Sequence, residues 1–188
     1  TSVLDLLQRA AEHLIFVDRF EAYQNSEDER SAIDETSPKK LRSIHLKLTN
    51  NCNLSCTYCY AESGLCSSSP TLSLDELKNI ADEISEISSP VAYTFSGGEP
   101  LMHPSALEFA EYVKKRGNSC ALLTNGAPIN KKNVDRIASL FGLIKISLDG
   151  SSEEINSKTR GFNSYRAVLK AYNLLIEKGA NVVINMTV

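Results

Sequence analysis

The sequence predicts an α/β domain built on a parallel sheet, because short apolar runs alternate with helical patterns along most of the chain. Strand-like runs rich in β-branched and apolar residues are SIHLKLT (43–49), VAYTFS (91–96), SCALLT (119–124), GLIKISL (142–148) and NVVINMTV (181–188). Patterns with helical periodicity lie between them at 73–88, 103–117, 130–141 and 164–179. Strand–helix alternation favours βαβ units, and therefore either a TIM-like barrel or an open doubly wound sheet.

Boundary signals support several of these elements. Ser73 and Glu76 have the spacing of a capping box, and Gly117 and Gly179 stand where the helical patterns stop. The chain ends inside the fifth strand pattern, at Val188. We therefore expect the barrel to be truncated after its fifth strand, and this chain to be the front part of a longer protein.

The first part of the chain looks like a separate appendage. Residues 3–23 carry apolar residues at helical spacing and predict a helix, with one face formed by Leu4, Leu7, Ala11, Leu14 and Ile15. Residues 24–40 are polar and aperiodic, which is typical of a linker. The predicted division is thus an N-terminal helix and linker at 1–42 and a main domain at 43–188. The helix is either half of a docking element or a cap on the main domain.

Composition narrows the possible functions. The chain has 188 residues, a net charge of −3 and 42% hydrophobic residues, enough for one domain with its own core. No basic patch indicates nucleic acid as a partner, and no apolar run reaches the roughly 18 residues of a membrane span. Five cysteines, three of them close together, are not typical of a secreted disulfide framework. A cytoplasmic protein with metal chemistry is the favoured interpretation.

The main metal candidate is the loop after the first strand, where Cys52, Cys56 and Cys59 have the spacing C-x₃-C-x₂-C. Three thiolates on one loop can bind three irons of a [4Fe–4S] cluster and leave the fourth iron for an exogenous ligand. The alternative is a zinc site whose fourth ligand is His45 or His103, although neither lies at finger-like spacing. Cys66 and Cys120 are interpreted as buried or incidental thiols.

Small and polar residues follow the next three strands. SGGEP (96–100) ends the second strand, TNG (124–126) the third and SLDG (147–150) the fourth. The C-terminal ends of parallel strands form the face on which α/β barrels build their active sites. These three motifs and the cysteine loop are therefore expected at one edge of the sheet.

Taken together, the CNLSCTYC loop, SGGEP, TNG and SLDG resemble the radical S-adenosylmethionine (radical SAM) superfamily over residues 43–188. The resemblance implies a partial (β/α)₆ TIM-like barrel. It also implies that Cys52, Cys56 and Cys59 bind a [4Fe–4S] cluster, whose open iron is chelated by the methionine part of SAM.

The resemblance further implies a set of SAM contacts. Tyr58 corresponds to the aromatic residue beside the adenine, and Gly97, Gly98 and Glu99 to the stretch that receives the methionyl amine through backbone atoms. Further expected contacts lie at or beyond the fourth and fifth strands. They are Ser147 and Asp149 near the ribose or carboxylate, Arg160 pairing with the carboxylate, and Asn185 with Thr187 on the strand that borders the adenine.

The implied reaction is reductive cleavage of SAM and abstraction of a substrate hydrogen by the resulting 5′-deoxyadenosyl radical. The motif layout resembles the branch of peptide- and protein-modifying enzymes, with a flavodoxin- or ferredoxin-type electron donor and often a C-terminal extension carrying auxiliary clusters. Two alternatives stay open. One is an enzyme of molybdenum-cofactor or haem-related biosynthesis, and the other is a non-catalytic metal-binding scaffold.

Overall fold

A computed structural model describes residues 14–16, 41–64 and 71–187. Its centre is a six-stranded sheet in which the strands follow one another in chain order. β2 to β6 are parallel and β1 is antiparallel to β2. The strands are β1 (Leu14–Phe16), β2 (Ser43–Thr49), β3 (Ala92–Gly97), β4 (Ser119–Thr124), β5 (Leu143–Ser147) and β6 (Val182–Asn185). All five strands predicted for the main domain are present, and the parallel α/β fold is confirmed.

The helices connect successive parallel strands. They are α1 (Leu74–Ile87), a 3₁₀ turn (Pro100–Met102), α2 (Ala106–Lys115), α3 (Val134–Leu140), α4 (Glu153–Arg160) and α5 (Ser164–Glu177). At the start of α1, Ser73 and Glu76 form the predicted capping box. α4 was not predicted, although its sequence has recognisable end signals. Ser152 caps its first turn, which is acidic, and its last turn is basic.

The predicted helix over residues 3–23 is wrong at Leu14–Phe16, where the chain forms β1. The remainder of that range, residues 24–40 and Cys66 lie outside the described residues. β1 pairs with β2, Ile15 lying opposite His45. The outer edge of β2 would otherwise present unpaired N–H and C=O groups, and an apolar segment with a β-branched and an aromatic residue is well suited to pair with it. Helical spacing in the sequence carries no information about that distant partner.

The hydrophobic core lies between the sheet and the helices. Alternate residues of β2 to β5 point into it, among them Ile44, Leu46, Tyr93 and Phe95. The rings of Phe95 and Phe109 stack with centroids 5.4 Å apart and so fasten α2 to β3. The other strand positions lie on the opposite side of the sheet, which we call the open face. On β2 to β6 its polar members are Ser43, His45, Lys47, Thr94, Ser96, Ser119, Lys145, Ser147 and Asn185.

The sheet does not close into a barrel. β6 pairs with β5, and no further described strand follows it. Val183, Ile184 and Met186 are between 40% and 54% exposed, as expected for an edge that no other described element covers. No helix in the described ranges is long and apolar enough to cross a bilayer.

Candidate active site

Four loops meet at one edge of the sheet. The cysteine loop follows β2, SGGEP follows β3, TNG follows β4 and SLDG follows β5. Because these strands are parallel, their C-terminal ends lie at the same edge. The structure therefore brings together the four motifs that the sequence places at strand ends.

Backbone pairing joins the beginning of the cysteine loop to its end. Asn51 bridges Gly64, and the Cys52 amide donates to the Gly64 carbonyl at 3.2 Å. Two of the thiols accept backbone hydrogen bonds, Cys52 Sγ from Leu54 N and Cys59 Sγ from Ser63 N, each at 3.4 Å. The Asn125 amide also lies 3.6 Å from Cys52 Sγ. Such donors favour thiolates, so the loop is prepared to bind soft metal centres.

Burial and a nearby positive charge have opposite effects on the pKa of a thiol in this loop. Burial raises the pKa of Cys52 and of Cys56 above the ordinary range, while the positive charge of Arg160 opposes that increase at Cys56. Within the described residues, no three Cys, His, Asp or Glu side chains converge closely enough to hold a metal ion. The donor set itself fits an iron–sulfur cluster, with three thiols on one loop and hydrogen bonds to two of the sulfurs.

The histidines considered for a zinc site have other roles. His103 is 4% exposed, and both of its ring nitrogens have backbone partners. Its Nε2 lies 2.9 Å from the Leu72 carbonyl, and its Nδ1 accepts from Ser105 N at 3.1 Å. These contacts fix the neutral ring as an Nε2–H tautomer and leave no lone pair for a metal. His45 lies on the open face, opposite Thr94, rather than on the cysteine loop.

The two glycines of SGGEP allow its backbone to contact the cysteine loop. A Cβ at Gly97 would lie 2.4 Å from the Thr49 carbonyl oxygen, and one at Gly98 would lie 2.3 Å from that of Asn51. The Gly98 amide donates to Thr49 O at 2.7 Å and the Glu99 amide to Asn51 O at 2.9 Å. Glycine is therefore required here for contact between the two loops. An amine ligand donates hydrogen bonds, so SGGEP would receive it through carbonyl oxygens and not through these amides.

The Glu99 side chain is fully buried and bonded within the protein. Its carboxylate accepts hydrogen bonds from Thr124 Oγ1 at 2.8 Å, Asn125 N at 2.8 Å and Leu101 N at 3.1 Å. Burial raises the pKa of Glu99 to about 7, although these hydrogen bonds act in the opposite direction. Glu99 thus fastens SGGEP to the end of β4. TNG lies at the predicted strand end, but no signal in the sequence predicts its contact with Glu99.

Asp149 is the centre of a second cluster, to which Arg160, Tyr58, Thr159 and Thr187 all contribute. Arg160 Nη2 donates to Asp149 Oδ1 at 3.0 Å, and Arg160 Nε lies 2.6 Å from Oδ2 without the alignment of a hydrogen bond. The Tyr58 hydroxyl and Thr159 Oγ1 donate to Oδ2, and the Thr187 amide donates to Oδ1 at 3.1 Å. Both members of the ion pair are at least 92% buried, with side-chain exposures of 8% and 4%.

The electrostatics of this cluster favour an ionised Asp149. Burial alone raises the pKa of Asp149, but hydrogen bonds from Arg160 and Tyr58 outweigh it and hold the pKa below its usual range. Burial and the bond to Asp149 raise the pKa of Tyr58 to about 12, so its hydroxyl keeps its proton. A carboxylate with one cation and three further donors is a satisfied anion.

Asn156 is hydrogen-bonded to the backbone of Asp149 and so supports this cluster. It is fully buried, accepts from Asp149 N at 2.8 Å and donates to Ser164 Oγ at 2.7 Å. A Cβ at Gly150 would lie 2.6 Å from Asn156 N, so glycine in SLDG lets α4 pack against the loop. Sequence reasoning missed Asn156 and Thr159 because both lie on the helix that was not predicted.

The residues proposed from the resemblance as SAM contacts occupy three positions at this edge. Ser147 and Asn185 are register partners on the open face. Gly97, Gly98 and Glu99 lie against the cysteine loop. The structure joins Tyr58, Asp149 and Arg160 to one another, so the Arg160 guanidinium already has a carboxylate partner inside the protein. Contact of any of these residues with SAM stays a prediction.

Comparison with known proteins agrees with this geometry. Residues 46–188 match the family model of the Radical SAM superfamily. The chain is 32% identical to the Fe-coproporphyrin III synthase of Methanosarcina barkeri over 75% of this chain and 35% of that protein. It is also 32% identical to the antilisterial bacteriocin subtilosin biosynthesis protein AlbA of Bacillus subtilis, over 76% of this chain and 32% of the relative.

A solved structure has the same fold. Native anSMEcpe, crystallised with AdoMet and the Cp18Cys peptide, superposes with a TM-score of 0.64 at 25% identity, covering 76% of this chain and 42% of that one. The chain thus spans about a third of the two curated relatives and less than half of the solved one.

Proposed function

Because this chain belongs to the radical SAM superfamily, whose members use a [4Fe–4S] cluster and SAM, we propose that it is the catalytic core of a peptide- or protein-modifying enzyme. Cys52, Cys56 and Cys59 would hold the cluster. When bound, the cluster and SAM supply one-electron cleavage of the S–C5′ bond and a carbon radical that takes a hydrogen atom from the substrate. The electron would come from a flavodoxin- or ferredoxin-type donor.

The observation that carries the proposal is the joining of the cysteine loop to SGGEP. Two amide hydrogen bonds, from Gly98 and Glu99, hold the loop of the three thiols against the motif that the resemblance assigns to the methionyl amine. Two buried carboxylates hold this arrangement in place. Glu99 connects SGGEP to β4, and Asp149 connects Tyr58 of the cysteine loop to β5 and α4. Such fixed geometry is what positions a reactive carbon against its target.

A peptide substrate is supported by two of these relatives. AlbA is a bacteriocin biosynthesis protein, and anSMEcpe was crystallised with a peptide. The match to Fe-coproporphyrin III synthase supports a haem-related substrate as a second candidate. We also retain the cytoplasm as the proposed location, because thiolates of a cluster need a reducing compartment.

The cluster assignment is tested by anaerobic reconstitution of single variants Cys52→Ala, Cys56→Ala and Cys59→Ala. Each should lose the EPR signal of the reduced cluster and the formation of 5′-deoxyadenosine from SAM with dithionite. Cys120→Ala is the matched control, because this thiol is buried in β4, 3.8 Å from the Ala110 carbonyl oxygen. Equal iron binding by the control and by a triple variant of the loop would contradict the assignment.

The substrate class is tested separately, with 5′-deoxyadenosine and substrate mass as readouts. A reconstituted chain that continues past residue 188 and covers β6 is supplied either with a pool of host peptides or with iron coproporphyrin III. Stimulation and a mass change on a peptide support the main proposal. If only the porphyrin is turned over, the result supports the haem-related substrate instead of a peptide.

A further inference from the structure

The Asn125 side chain reaches from the end of β4 to the cysteine loop. Its Nδ2 donates to Asn53 Oδ1 at 2.9 Å and to Cys52 Sγ at 3.6 Å, which is within hydrogen-bond distance of a sulfur. The backbone donors to sulfur, Leu54 N and Ser63 N, belong to the cysteine loop itself. Asn125 therefore joins one of the three loop thiols to a different strand, and the proposed chemistry gives it no role.

The orientation of the Asn125 amide is fixed by its other contacts. The Ala127 amide donates to Asn125 Oδ1 at 3.0 Å, and only the oxygen of the side chain can accept a backbone N–H. The Nδ2 group consequently faces the cysteine loop. It carries two hydrogens, one for Asn53 Oδ1 and one for Cys52 Sγ.

The position of Asn125 is held by the buried Glu99. The Asn125 amide donates to Glu99 Oε2 at 2.8 Å, and the preceding Thr124 hydroxyl donates to Oε1 at 2.8 Å. Asn125 and Cys52 are each only 8% exposed. A hydrogen bond is electrostatically stronger in such a site than in water, because the local dielectric constant is low. The Nδ2 donor thus meets the sulfur at a fixed place, largely out of contact with solvent.

From this geometry we propose that Asn125 sets the reduction potential of the cluster through its hydrogen bond to Cys52 Sγ. The inference rests on the proposed function, since it takes Cys52 as a cluster ligand. One electron passes from the flavodoxin- or ferredoxin-type donor to the cluster, and Asn125 keeps its protons. The added negative charge is shared with the sulfurs, so a donor at sulfur stabilises the reduced state more than the oxidised one. Asn125 is therefore a positioning residue that acts through Cys52 and makes the cluster easier to reduce.

The test is an EPR-monitored redox titration of the anaerobically reconstituted chain without SAM. Asn125→Leu keeps the approximate size of the side chain and removes the donor. Asn125→Asp keeps the acceptor for the Ala127 amide and replaces the donor with a carboxylate oxygen. Circular dichroism and thermal unfolding establish that each variant is folded.

Asn118→Leu is the matched control. Asn118 is 5% exposed, and its Oδ1 also accepts from one backbone amide, Val91 N at 2.8 Å. It precedes β4, whereas Asn125 follows that strand, so the two asparagines lie at opposite edges of the sheet. The control therefore loses a similar buried hydrogen bond far from the thiols.

At a fixed solution potential, the ratio of reduced to oxidised cluster should fall about tenfold in Asn125→Leu, a shift of about 59 mV for a one-electron couple. Asn125→Asp should shift the potential in the same direction, because its negative charge also disfavours the reduced state. Asn118→Leu should titrate like the native chain. A native potential in both Asn125 variants, or an equal shift in the control, would overturn the proposal.

Electron–nuclear double resonance of the reduced cluster reports the hydrogen bond itself. Asn125→Leu should lose a coupling to an exchangeable proton that Asn118→Leu retains and that D₂O removes. Loss of the cluster from both Asn125 variants would assign the residue to cluster assembly and would also overturn the proposal. A cluster that survives in Cys52→Ala would instead contradict the ligand assignment of the proposed function. If Cys52→Ala loses the cluster and the Asn125 variants keep the native potential, the inference about Asn125 alone fails.

Discussion

Asp149 and Arg160 form the most buried ion pair of the described residues, and its geometry determines what either side chain can do. The carboxylate is satisfied from four directions, by Arg160, Tyr58, Thr159 and Thr187. In addition, Thr57 N donates to the Thr159 carbonyl at 2.9 Å, so two adjacent residues of the cysteine loop are attached to this cluster. We conclude that Asp149 positions the loop that carries the thiols.

Asp149→Asn should lower the free energy of unfolding by about 3–5 kcal/mol, because it leaves the Arg160 charge buried without a partner. Urea unfolding of the metal-free chain measures this. Asp135→Asn is the control, since Asp135 pairs with Lys178 at 2.6 Å but is 70% exposed, and exposed pairs contribute about 0–1 kcal/mol. Equal losses of unfolding free energy in the two variants would mean that the buried pair matters no more to stability than the exposed pair.

Glu99 should make stability depend on pH between about 5 and 7. Its pKa is raised from 4.5 to about 7, so in this window the folded state holds a proton that the unfolded state releases. Stability should therefore fall as pH rises, by about 3 kcal/mol in total from this one group. Glu99→Gln should be less stable at pH 5, because its NH₂ faces a donor, but should lack this slope. Parallel slopes in urea unfolding at pH 5, 6 and 7 would refute the raised pKa.

At the scale of elements, the contact between SGGEP and the cysteine loop depends on the absence of side chains. Gly98→Ala would place a methyl group 2.3 Å from the Asn51 carbonyl oxygen, so the two loops must separate. Overpacking of this kind costs about 1–3 kcal/mol. We expect a corresponding fall in the free energy of unfolding, together with less iron bound after reconstitution.

Gly142→Ala is the matched control for that change. The nearest atom to a Cβ at this position is the Cys120 carbonyl oxygen, 3.9 Å away, which is ordinary contact. This variant should unfold and bind iron like the native chain. If Gly98→Ala behaves in the same way, the close approach of the two loops is not important for the site.

At the scale of the whole molecule, the described part of the sheet has one paired outer edge and one edge without a described partner. β1 covers β2, whereas Val183, Ile184 and Met186 on and after β6 stay exposed. Asn185 at this edge lies on the open face, beside Ser147. An open cavity admits competing hydrogen donors, and their exclusion is what couples radical formation to a substrate.

Residues 1–188 should therefore cleave SAM slowly and without coupling to substrate. A chain that continues past residue 188 and covers β6 should form 5′-deoxyadenosine only when substrate is present. Anaerobic dithionite assays of both chains measure 5′-deoxyadenosine beside modified substrate. Coupled modification by residues 1–188 alone would show that the open edge does not matter.

The sequence alone determined the parallel sheet and the edge at which the motifs lie, while the order of the strands was implied only by the family resemblance. These follow from local signals, namely apolar periodicity, the capping box at Ser73 and the spacing of three thiols, which act within a few residues of one another. Only the tertiary structure decided which residues and strands pair with one another. The pairing of Asp149 with Arg160 depends on α4, a helix whose weak apolar pattern concealed it in the sequence. The burial of Glu99 against β4 and the pairing of the strand at Leu14–Phe16 join segments that are distant in sequence. Periodicity reports which side of an element is apolar, but a hydrogen bond or ion pair between two elements depends on where folding places both of them.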